Sequence, residues 1–516
     1  MRRLKDCRDS AAQASGLNRR EFLAGLGATA VGALGLAAVG ADDTAAGAPA
    51  ASGGNPKGSQ TDYLATVCSH LGKIITQGAD RYGSTPTAMW MASLDTRTGA
   101  YPEGQPHAQA GKRCYRDIDS PNGCTIYWDQ PELVAAYAMS SAGGDPRYAQ
   151  AADAYVRAFL DRCVASDGLF EWGNHIFYDA YADKVMHFSG GPHEMRPIPP
   201  AWAIFWRIAP EVTEREIRRA AERHLFDPAT GGFNRHADGK KGCAFLESGG
   251  ILAESLAWLY AKKKDASLAG TALKIARYSF SNRSAETGLI ENNPTVTRWD
   301  KFVCTTEIGL WAGSLLRAAD YTGNAEFQEM ARAAVAAYLK YGYDASKRRY
   351  YGQVRVKDGT PVLDAKGENE PGLYADVWNA FFPTHDYPVA LGEACLALYR
   401  RTKGPEFAEA VHRMAQILRE CPPPSTARNG RGAYAELFGR SIHFLAGAAE
   451  TFPDKGYAAQ ATALAEAAVS MLFAHGMFRT HAGEDRYDSV DGAGYLLLAL
   501  QRLALGRDPD LMGFGF

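Results

Sequence analysis

Blocks of apolar residues at helical spacing recur along almost the whole chain after residue 60, and they constrain the fold more than any other feature. Within each block, apolar side chains return every three or four residues, which places them on one face of an α-helix. Connections rich in Gly, Pro, Asn or Asp separate the blocks, as at Gly143–Pro146 and Tyr321–Asn324. The predicted helices are Pro131–Ala142, Arg147–Cys163, Val212–Phe226, Ser248–Ala261, Leu268–Phe280, Thr306–Tyr321, Ala325–Tyr341, Tyr387–Arg401, Pro405–Leu418, Ala433–Glu450, Ala458–His475 and Val490–Leu505.

The predicted helices pair off, and this pairing indicates an all-α toroid. The pairs recur at intervals of roughly fifty to seventy residues, too loosely for a short solenoid repeat. Strand-like alternation is scarce, and Tyr350–Val362 is its clearest instance. We therefore expect an (α/α)6–7 toroid of helical hairpins with a few short β-hairpins in its loops. An open superhelix is the alternative. We favour closure because polar and aromatic residues concentrate in the loops, which gather at one end of a toroid and form a cleft there.

The N-terminal segment predicts export. Asn18-Arg19-Arg20-Glu21-Phe22-Leu23 precedes an apolar stretch that ends in small residues near Val39–Ala41. A twin arginine with such a stretch is typical of a twin-arginine signal. We assign residues 1–41 to the signal, 42–60 to a disordered linker and 61–516 to a single toroidal catalytic domain. The expected location is periplasmic or extracellular. An uncleaved membrane anchor is the alternative, although this Gly/Ala-rich stretch makes a weak membrane helix.

Charge composition excludes one large class of partners. The chain has 56 Lys and Arg against 58 Asp and Glu, a formal net charge of −2. No basic run is interleaved with aromatic residues, so nucleic-acid binding is not expected. A local arginine site for an acidic ligand needs no global charge and stays open. We expect a monomer.

Three short segments concentrate the side chains of a reactive site. They are Gly173-Asn174-His175, His193-Glu194-Met195-Arg196 and Phe233-Asn234-Arg235-His236. Imidazole and carboxylate groups bind borderline divalent metals, and guanidinium is the planar partner of a carboxylate. The cluster predicts a metal-assisted reaction on an acidic substrate, and a sugar acid fits best. Glu194 also has a structural interpretation as a helix N-cap or a surface partner of Arg196, and Arg235 has one as a salt-bridge partner.

Aromatic residues near the cluster favour a carbohydrate. Flat sugar faces stack on aromatic rings, and we assign this role to Trp172 and Tyr178. A position in the core is the alternative for either ring. We further predict that Arg196, Arg298 and His193 contact the substrate, with metal ligation or support of a ligand as the alternatives for His193.

The same segments resemble those of family 2 polysaccharide lyases, which are pectate lyases built on an (α/α)7 barrel. The resemblance covers about Trp172 to Ala237. It implies that His175, Glu194 and His236 are the metal ligands and that Arg235 is the catalytic base. The implied cofactor is a divalent metal, manganese first, with cobalt, nickel or zinc as alternatives. The implied substrate is an acidic polysaccharide or oligosaccharide.

The implied reaction is β-elimination, which removes the C5 proton of a uronate. That proton is α to the C6 carboxylate and is removed only if the developing charge is stabilised, as a bound dication does. Guanidinium groups normally stay protonated in proteins. The residues by themselves therefore support substrate binding by Arg235, and its role as base comes from the resemblance.

Competing functions stay open from sequence. An unsaturated-uronyl hydrolase on an (α/α) barrel would use one Asp acid, for which Asp129, Asp179 and Asp300 are candidates, and another glycoside hydrolase of this fold would use paired carboxylates. A sugar epimerase would use paired His residues. A periplasmic sugar-binding protein is the non-enzyme alternative. The sequence does not distinguish one uronate from another.

Overall fold

The helices of this chain alternate between two layers. The computed structural model describes residues 59–101, 123–173, 176–187, 193–195, 197–295, 301–363, 373–378, 388–425, 432–490 and 492–516. The described part contains fourteen α-helices, and its strands are only two to four residues long. Residues Gln60–Phe516 form one compact unit. The predicted signal and nearly all of the predicted linker lie outside the described residues.

Even-numbered helices form the inner layer, where burial extends around the helix. In α2 every residue from Ile126 to Met139 is buried. Such a helix has no polar stripe, which is typical of one surrounded by other elements. The inner helices are α2 (Ile126–Gly143), α4 (Trp202–Ile208), α6 (Leu246–Lys263), α8 (Thr305–Thr322), α10 (Val389–Thr402), α12 (Ala435–Thr451) and α14 (Ala493–Leu505).

Odd-numbered helices form the outer layer and bury one face. The buried residues of α3 include Tyr148, Ala152, Tyr155 and Phe159, at the spacing of a single helical stripe. The outer helices are α1 (Ser59–Gln77), α3 (Arg147–Arg162), α5 (Pro210–His224), α7 (Ala266–Ser281), α9 (Ala325–Tyr341), α11 (Pro405–Glu420) and α13 (Tyr457–Leu472).

The inner layer closes on itself. Helices α6, α8, α10, α12 and α14 pack each on the next, and α14 packs on α2. Gly494 makes the last contact possible, because a Cβ there would lie 2.5 Å from the backbone nitrogen of Glu132. Short helix α4 fills the remaining position, with the ring of Trp206 5.5 Å from that of Trp258 on α6. The ring is closed, so the open superhelix is excluded.

The first helix completes the outer layer. His70 on α1 lies with Nε2 2.6 Å from Oε1 of Glu132 on α2, and its Nδ1 accepts a hydrogen bond from the backbone of Phe478. Lys73 donates to the carbonyl of His475, just after α13. Thus α1 lies between the last outer helix and the first inner one. The described residues form seven inner and seven outer helices, and the predicted (α/α) toroid is confirmed.

The two ends of the toroid differ in their connections. Inner helices lead to outer helices through one to five residues, and we call this side the short end. Outer helices lead to inner helices through 14 to 48 residues, and we call this side the long end. The long connections are 78–125, 163–201, 225–245, 282–304, 342–388, 421–434 and 473–492. Every inner helix therefore begins at the long end.

All strands of the described residues lie in these long connections. The strands are β1 (Ser93–Asp95), β2 (Gly123–Cys124), β3 (Ile176–Asp179), β4 (Lys184–His187), β5 (Leu225–Asp227), β6 (Gly232–Phe233), β7 (Phe302–Val303), β8 (Tyr343–Asp344), β9 (Arg349–Tyr350), β10 (Val354–Arg355), β11 (Phe473–Ala474), β12 (Met477–Phe478) and β13 (Arg486–Asp488). They form one three-stranded sheet, β2-β3-β4, and two-stranded antiparallel pairs. Predicted segment Tyr350–Val362 contains a short hairpin, in which Val354 pairs with Pro361 in antiparallel orientation, while β9 pairs with β8 and β10 also pairs with β7.

None of the described helices has the length and apolar character that a bilayer crossing requires.

Candidate active site

Three extended segments meet at the long end beside α4 and α6, and they contain the described residues of the predicted cluster. The backbones of Trp172 and His193 form a parallel β-bridge, and those of Glu194 and His236 form an antiparallel β-bridge. The backbone nitrogen of Glu194 donates to the carbonyl of Trp172 at 3.0 Å, and that of Met195 donates to the carbonyl of Arg235 at 3.2 Å. These backbone contacts bring residues from two different long connections to one place.

Gly173 permits the closest approach in this arrangement. Its φ is +142°, in a region that side chains rarely adopt. A Cβ at this position would lie 2.6 Å from Cβ of Glu194 and 2.8 Å from the Glu194 carbonyl oxygen. Any larger residue would therefore displace Glu194.

Glu194, Arg235 and His236 converge at one point. The Nε atom of Arg235 lies 3.2 Å from Oε1 of Glu194 and donates to Nε2 of His236 at 2.7 Å. The Glu194 and His236 atoms themselves are 3.5 Å apart. Glu194 is 3% exposed, whereas Arg235 and His236 are each 17% exposed. The carboxylate is buried, whereas the other two side chains are partly exposed.

The donor set at this point suits a divalent cation. Two ligands on one ion, with bonds of about 2.0–2.2 Å, lie about 3.0–3.5 Å apart, close to the separation of the Glu194 and His236 atoms. Nε–H of Arg235 donates to the His236 atom, and the same positively charged group lies 3.2 Å from the Glu194 atom. A positive group is thus already beside both atoms. One carboxylate oxygen and one imidazole nitrogen fit Mn(II), Co(II), Ni(II) or Zn(II).

The site is bordered by the start of α6 and by the connection that leads to α8. The guanidinium of Arg235 lies 5.0 Å from the ring centre of Phe245, which directly precedes α6. The backbone nitrogen of Ala244 donates to Oδ1 of Asn293 at 3.0 Å and contacts Oγ1 of Thr295 at 3.3 Å. Thr295 is the last described residue before the segment that contains Arg298. The connection to α8 therefore borders the site.

Three predicted site residues lie outside the described residues: His175, Arg196 and Arg298. Their roles stay predictions. Within the described part of the chain, no three His, Cys, Asp or Glu side chains converge as a metal site. Glu194 and His236 supply two ligands, and the third ligand implied by the resemblance, His175, falls between the described residues Gly173 and Ile176.

The predicted substrate contacts Trp172 and Tyr178 are interior residues. Trp172 is 1% exposed and Tyr178 2% exposed. The Trp172 ring packs on Tyr127 at 5.3 Å and Phe170 at 5.2 Å. Burial of this kind argues against direct stacking on a sugar by either ring. The core position that sequence left as the alternative describes them better, because the aromatic pairs stabilise the base of the site.

His193 is also buried, with both ring nitrogens in contact with other side chains. It is 0% exposed; its Nε2 lies 2.9 Å from Nε1 of Trp172 and 2.6 Å from Oε1 of Glu216. Its Nδ1 lies 2.7 Å from Nε2 of His224. On an extended segment, successive side chains point to opposite faces. His193 therefore faces the core while Glu194 faces the cleft, so the predicted direct contact of His193 with substrate does not fit.

Sequence analysis missed Glu216 and His224. Both lie on the buried face of α5, together with Thr213, Ile217 and Ala220. A signal was present, since a charged residue and an imidazole eight positions apart share a helix face with apolar residues. Burial lowers the pKa of His224 well below its ordinary value, and the neighbouring His193 lowers it further.

Comparison with known proteins supports the predicted resemblance in this region. The profile of a family described as periplasmic pectate lyase matches residues 130–246. This span includes Glu194, Arg235 and His236, and it confirms the resemblance over less than half of the chain. The match supports a polysaccharide-degrading enzyme, and the description of the family favours a periplasmic location.

Solved structures with a similar course of the chain have low sequence identity. An unsaturated glucuronyl hydrolase specific for heparin is 13% identical, with a TM-score of 0.48 over 86% of this chain and 97% of that one. The unsaturated glucuronyl hydrolase of Bacillus sp. GL1 is 13% identical, with a TM-score of 0.46 over 87% and 97%. An alpha-1,6-mannanase of Salegentibacter sp. HEL1_6 is 10% identical, with a TM-score of 0.46 over 86% and 100%. Likeness at this level says nothing about activity.

Proposed function

We propose that this chain is an exported polysaccharide lyase that cleaves a uronate-containing glycan, pectate first, by metal-assisted β-elimination. The observation that carries the proposal is the convergence of Glu194 Oε1, His236 Nε2 and Arg235 Nε within 3.5 Å of one another. The match to periplasmic pectate lyases over the same residues supports it. We further propose that the twin-arginine route delivers the enzyme to the periplasm and that it acts as a monomer.

Glu194 and His236 would hold the divalent cation, with His175 as the third ligand that the resemblance implies. Manganese is the first candidate. The chemistry that such a cation supplies is Lewis-acid polarisation of the C6 carboxylate, which makes the C5 proton more acidic. Arg235 now donates to Nε2 of His236; a cation held by that lone pair would replace this hydrogen bond, and the guanidinium would be free to contact the substrate.

We assign proton removal to Arg235, which can accept the C5 proton only in its neutral form; a dication held beside it at Glu194 and His236 would favour that form by charge repulsion. In the elimination, the C5 proton leaves, the electron pair forms the C4–C5 double bond, and the bond from C4 to the glycosidic oxygen breaks. That oxygen takes up a proton from water or a nearby donor. Arg235 borders both proposed ligands and is partly exposed to the cleft, so it can reach a substrate carbon beside a bound carboxylate. Arg196 and Arg298 are proposed to pair with carboxylates of neighbouring sugars.

The position of the site also favours an anionic substrate. All seven inner helices of the described residues begin at the long end. Helix N-termini carry partial positive charge, which stabilises anions nearby. A polyuronate would therefore meet a favourable potential at this end of the toroid even though the net charge of the chain is close to zero.

A direct test follows the ultraviolet absorbance of the 4,5-unsaturated product on polygalacturonate. We expect chelator to abolish the increase and Mn(II) to restore it. His236→Ala and Arg235→Lys should each lower kcat by about a thousandfold or more, since both remove groups that act on the transition state. If polygalacturonate gives no product, glucuronan, alginate and ulvan are tested with the same metals. Absence of product on every polymer, with no metal bound, would refute the lyase proposal.

A hydrolase remains the second candidate because of one buried acid. Asp129, at the start of α2, is 1% exposed and accepts a hydrogen bond from Tyr155. Burial raises the pKa of Asp129 well above its ordinary value, and Glu132 adds to the effect. A protonated carboxyl is what a general acid needs. Asp129→Asn should leave lyase activity within about threefold, whereas loss of about a thousandfold would favour the hydrolase.

A further inference from the structure

A row of buried polar side chains lies beneath the candidate site. Glu216, His193 and His224 are each 0% exposed. Oε1 of Glu216 is 2.6 Å from Nε2 of His193, whose Nδ1 is 2.7 Å from Nε2 of His224. Nδ1 of His224 is 2.7 Å from the carbonyl oxygen of Asn234. Buried polar groups destabilise a fold unless each is hydrogen-bonded. Three such side chains in contact with one another therefore suggest a structural role that apolar residues would not fill.

The chemistry of the groups in this row decides which nitrogen donates and which accepts at His224. The carbonyl of Asn234 can only accept, so Nδ1 of His224 carries a proton. Burial keeps His224 neutral by lowering its pKa, which leaves its Nε2 as an acceptor. Nδ1 of His193 must then be the donor to His224. These contacts fix the tautomer of His224 and the orientation of both rings.

The row connects the two segments that carry the proposed ligands. His193 directly precedes Glu194, and its carbonyl accepts from the backbone nitrogen of Ala237 at 3.3 Å. His224 contacts Asn234 twice: its ring donates to the Asn234 carbonyl, and its own carbonyl accepts from the Asn234 nitrogen at 2.8 Å. Oδ1 of Asn234 in turn accepts from the backbone nitrogen of His236 at 3.3 Å. One imidazole thus joins both segments.

Helix α5 is the rigid support of this row. Glu216 and His224 lie two helical turns apart on its buried face. Oε2 of Glu216 also accepts from the backbone nitrogen of Phe170 at 2.7 Å. The segment that leads to Gly173, the segment of Glu194 and the segment of His236 are therefore all fastened to one helix.

We infer that His224 is a positioning residue of the proposed active site, which with Glu216 and His193 sets the separation of Glu194 from His236. The expected effect on metal affinity rests on the proposed function, whereas the positioning of Glu194 and His236 does not. Loss of an outer partner of a metal ligand typically lowers metal affinity about ten- to a hundredfold. His224 does not contact substrate or cation in this arrangement; it acts through the backbone.

The chain contains a matched control. His70 and Glu132 form a second buried pair, 2.6 Å apart and 0% and 2% exposed. This pair joins α1 to α2 and contacts the backbone of Phe478, and none of its hydrogen bonds reaches Glu194 or His236. His70→Gln should therefore reduce thermal stability as much as a change at His224 does, with no specific effect on the site.

The test compares His224→Leu, His224→Asn and His70→Gln in the full-length mature protein. An Asn side chain can still donate a hydrogen bond to the Asn234 carbonyl, but it loses the contact with His193. The variant therefore separates the effects of these two hydrogen bonds. Mn(II) binding is measured by electron paramagnetic resonance together with the melting temperature. We expect about a thirtyfold weaker Mn(II) affinity for His224→Leu, a smaller loss for His224→Asn, and no change beyond twofold for His70→Gln.

Hydrogen exchange without metal separates failure of the inference from failure of the proposed function. In His224→Leu, the amides of Glu194 and Ala237 should exchange about tenfold faster than in His70→Gln. Equal exchange in both folded variants overturns the positioning role. If the wild-type protein binds no Mn(II) but the difference in exchange is present, positioning is supported and the metal proposal fails. Should His224→Leu not fold, the same comparison is made with His224→Asn.

Discussion

The two ends of this toroid differ in their connections and in what their residues do. At the short end, turns of one to five residues join inner to outer helices. Residues there satisfy helix ends: Gly144 and Gly323 have positive φ, and Asp265 and Asn324 cap the helices that follow. At the long end, connections of up to 48 residues carry every described strand and all the candidate site residues. The short end stabilises the ring, and the long end holds the groups that can react.

The charges at the two ends show the same division. Near the short end, Arg317 on α8 forms a bidentate pair with Glu254 on α6, at 2.6 and 2.8 Å. Such a pair satisfies its own charges and joins two neighbouring inner helices. At the long end, Nε of Arg235 donates to Nε2 of His236 and lies 3.2 Å from Oε1 of Glu194. These three side chains are the ones to which we assign cation binding and catalysis. Loops on a rigid scaffold commonly carry function.

The largest expected contrast compares two glycines, one at each end. Gly173→Ala places a Cβ 2.6 Å from Glu194, whereas Gly323→Ala meets nothing within 4 Å. Displacement of a catalytic group by about 1 Å can lower the rate about a hundredfold. We expect that loss in kcat/KM for Gly173→Ala. Gly323→Ala should cost only about 1 kcal/mol of stability, because its φ of +69° is strained for Ala.

Steady-state kinetics and thermal unfolding on the same two preparations check this contrast. Full activity in Gly173→Ala would show that the approach of Gly173 to Glu194 does not position the site.

Removal of Arg317 tests the short end alone. Arg317→Leu leaves the carboxylate of Glu254, 7% exposed, without its guanidinium. Loss of one partner of a buried pair costs about 3 kcal/mol. We expect that decrease in the free energy of unfolding by urea, with kcat unchanged. A matched loss of activity would mean that the two ends are not independent, and Glu254→Leu added to Arg317→Leu should recover part of the stability.

A pH effect is expected at the short end from His443. Burial opposes its charge, but Glu393 and Asp508 outweigh burial, so the pKa of His443 is raised above its ordinary value of 6.5. The stability that this charge adds is complete below about pH 6.5 and is lost as pH rises through the higher folded-state pKa. His443→Gln should therefore flatten the fall in melting temperature above pH 6.5. An unchanged pH profile in the variant would assign the effect to other groups.

The smallest expected effect concerns a helix cap. The side chain of Asn324 accepts from the backbone nitrogen of Glu326 at 2.9 Å at the start of α9. Asn324→Ala should lower stability by about 1 kcal/mol, and Asn324→Asp should restore it. Neither should alter Mn(II) affinity. A change in affinity with either variant would contradict the separation of the two ends.

Twelve of the helices were predictable because their periodicity is strong, although their ends moved by several residues. Prediction placed a helix at Pro131–Ala142, and the helix spans Ile126–Gly143. Helix α4 has only seven residues, too few to show a period. Helix α1 has a readable stripe of Tyr63, Val67, Leu71 and Ile74 but is absent from the predicted helices, although only its first two residues fall in the predicted linker.

The structure brings some of the predicted site residues together and buries others. The convergence of Glu194, Arg235 and His236 agrees with their common assignment to one site. Trp172 and His193 were predicted as substrate contacts because they neighbour the cluster in sequence, yet both face the core. Successive side chains of an extended segment point to opposite faces. Which of the two faces the core depends on tertiary packing, which the sequence does not reveal.

The sequence by itself determined the helical repeat and the residue types of the reactive cluster, since both are local patterns of spacing and chemistry. Only the tertiary structure decided that the ring closes through α14 and α2, that two distant connections meet at Glu194 and His236, and that Glu216 and His224 support them. Those outcomes depend on contacts between residues far apart in the chain, whose geometry arises only when the helices pack together.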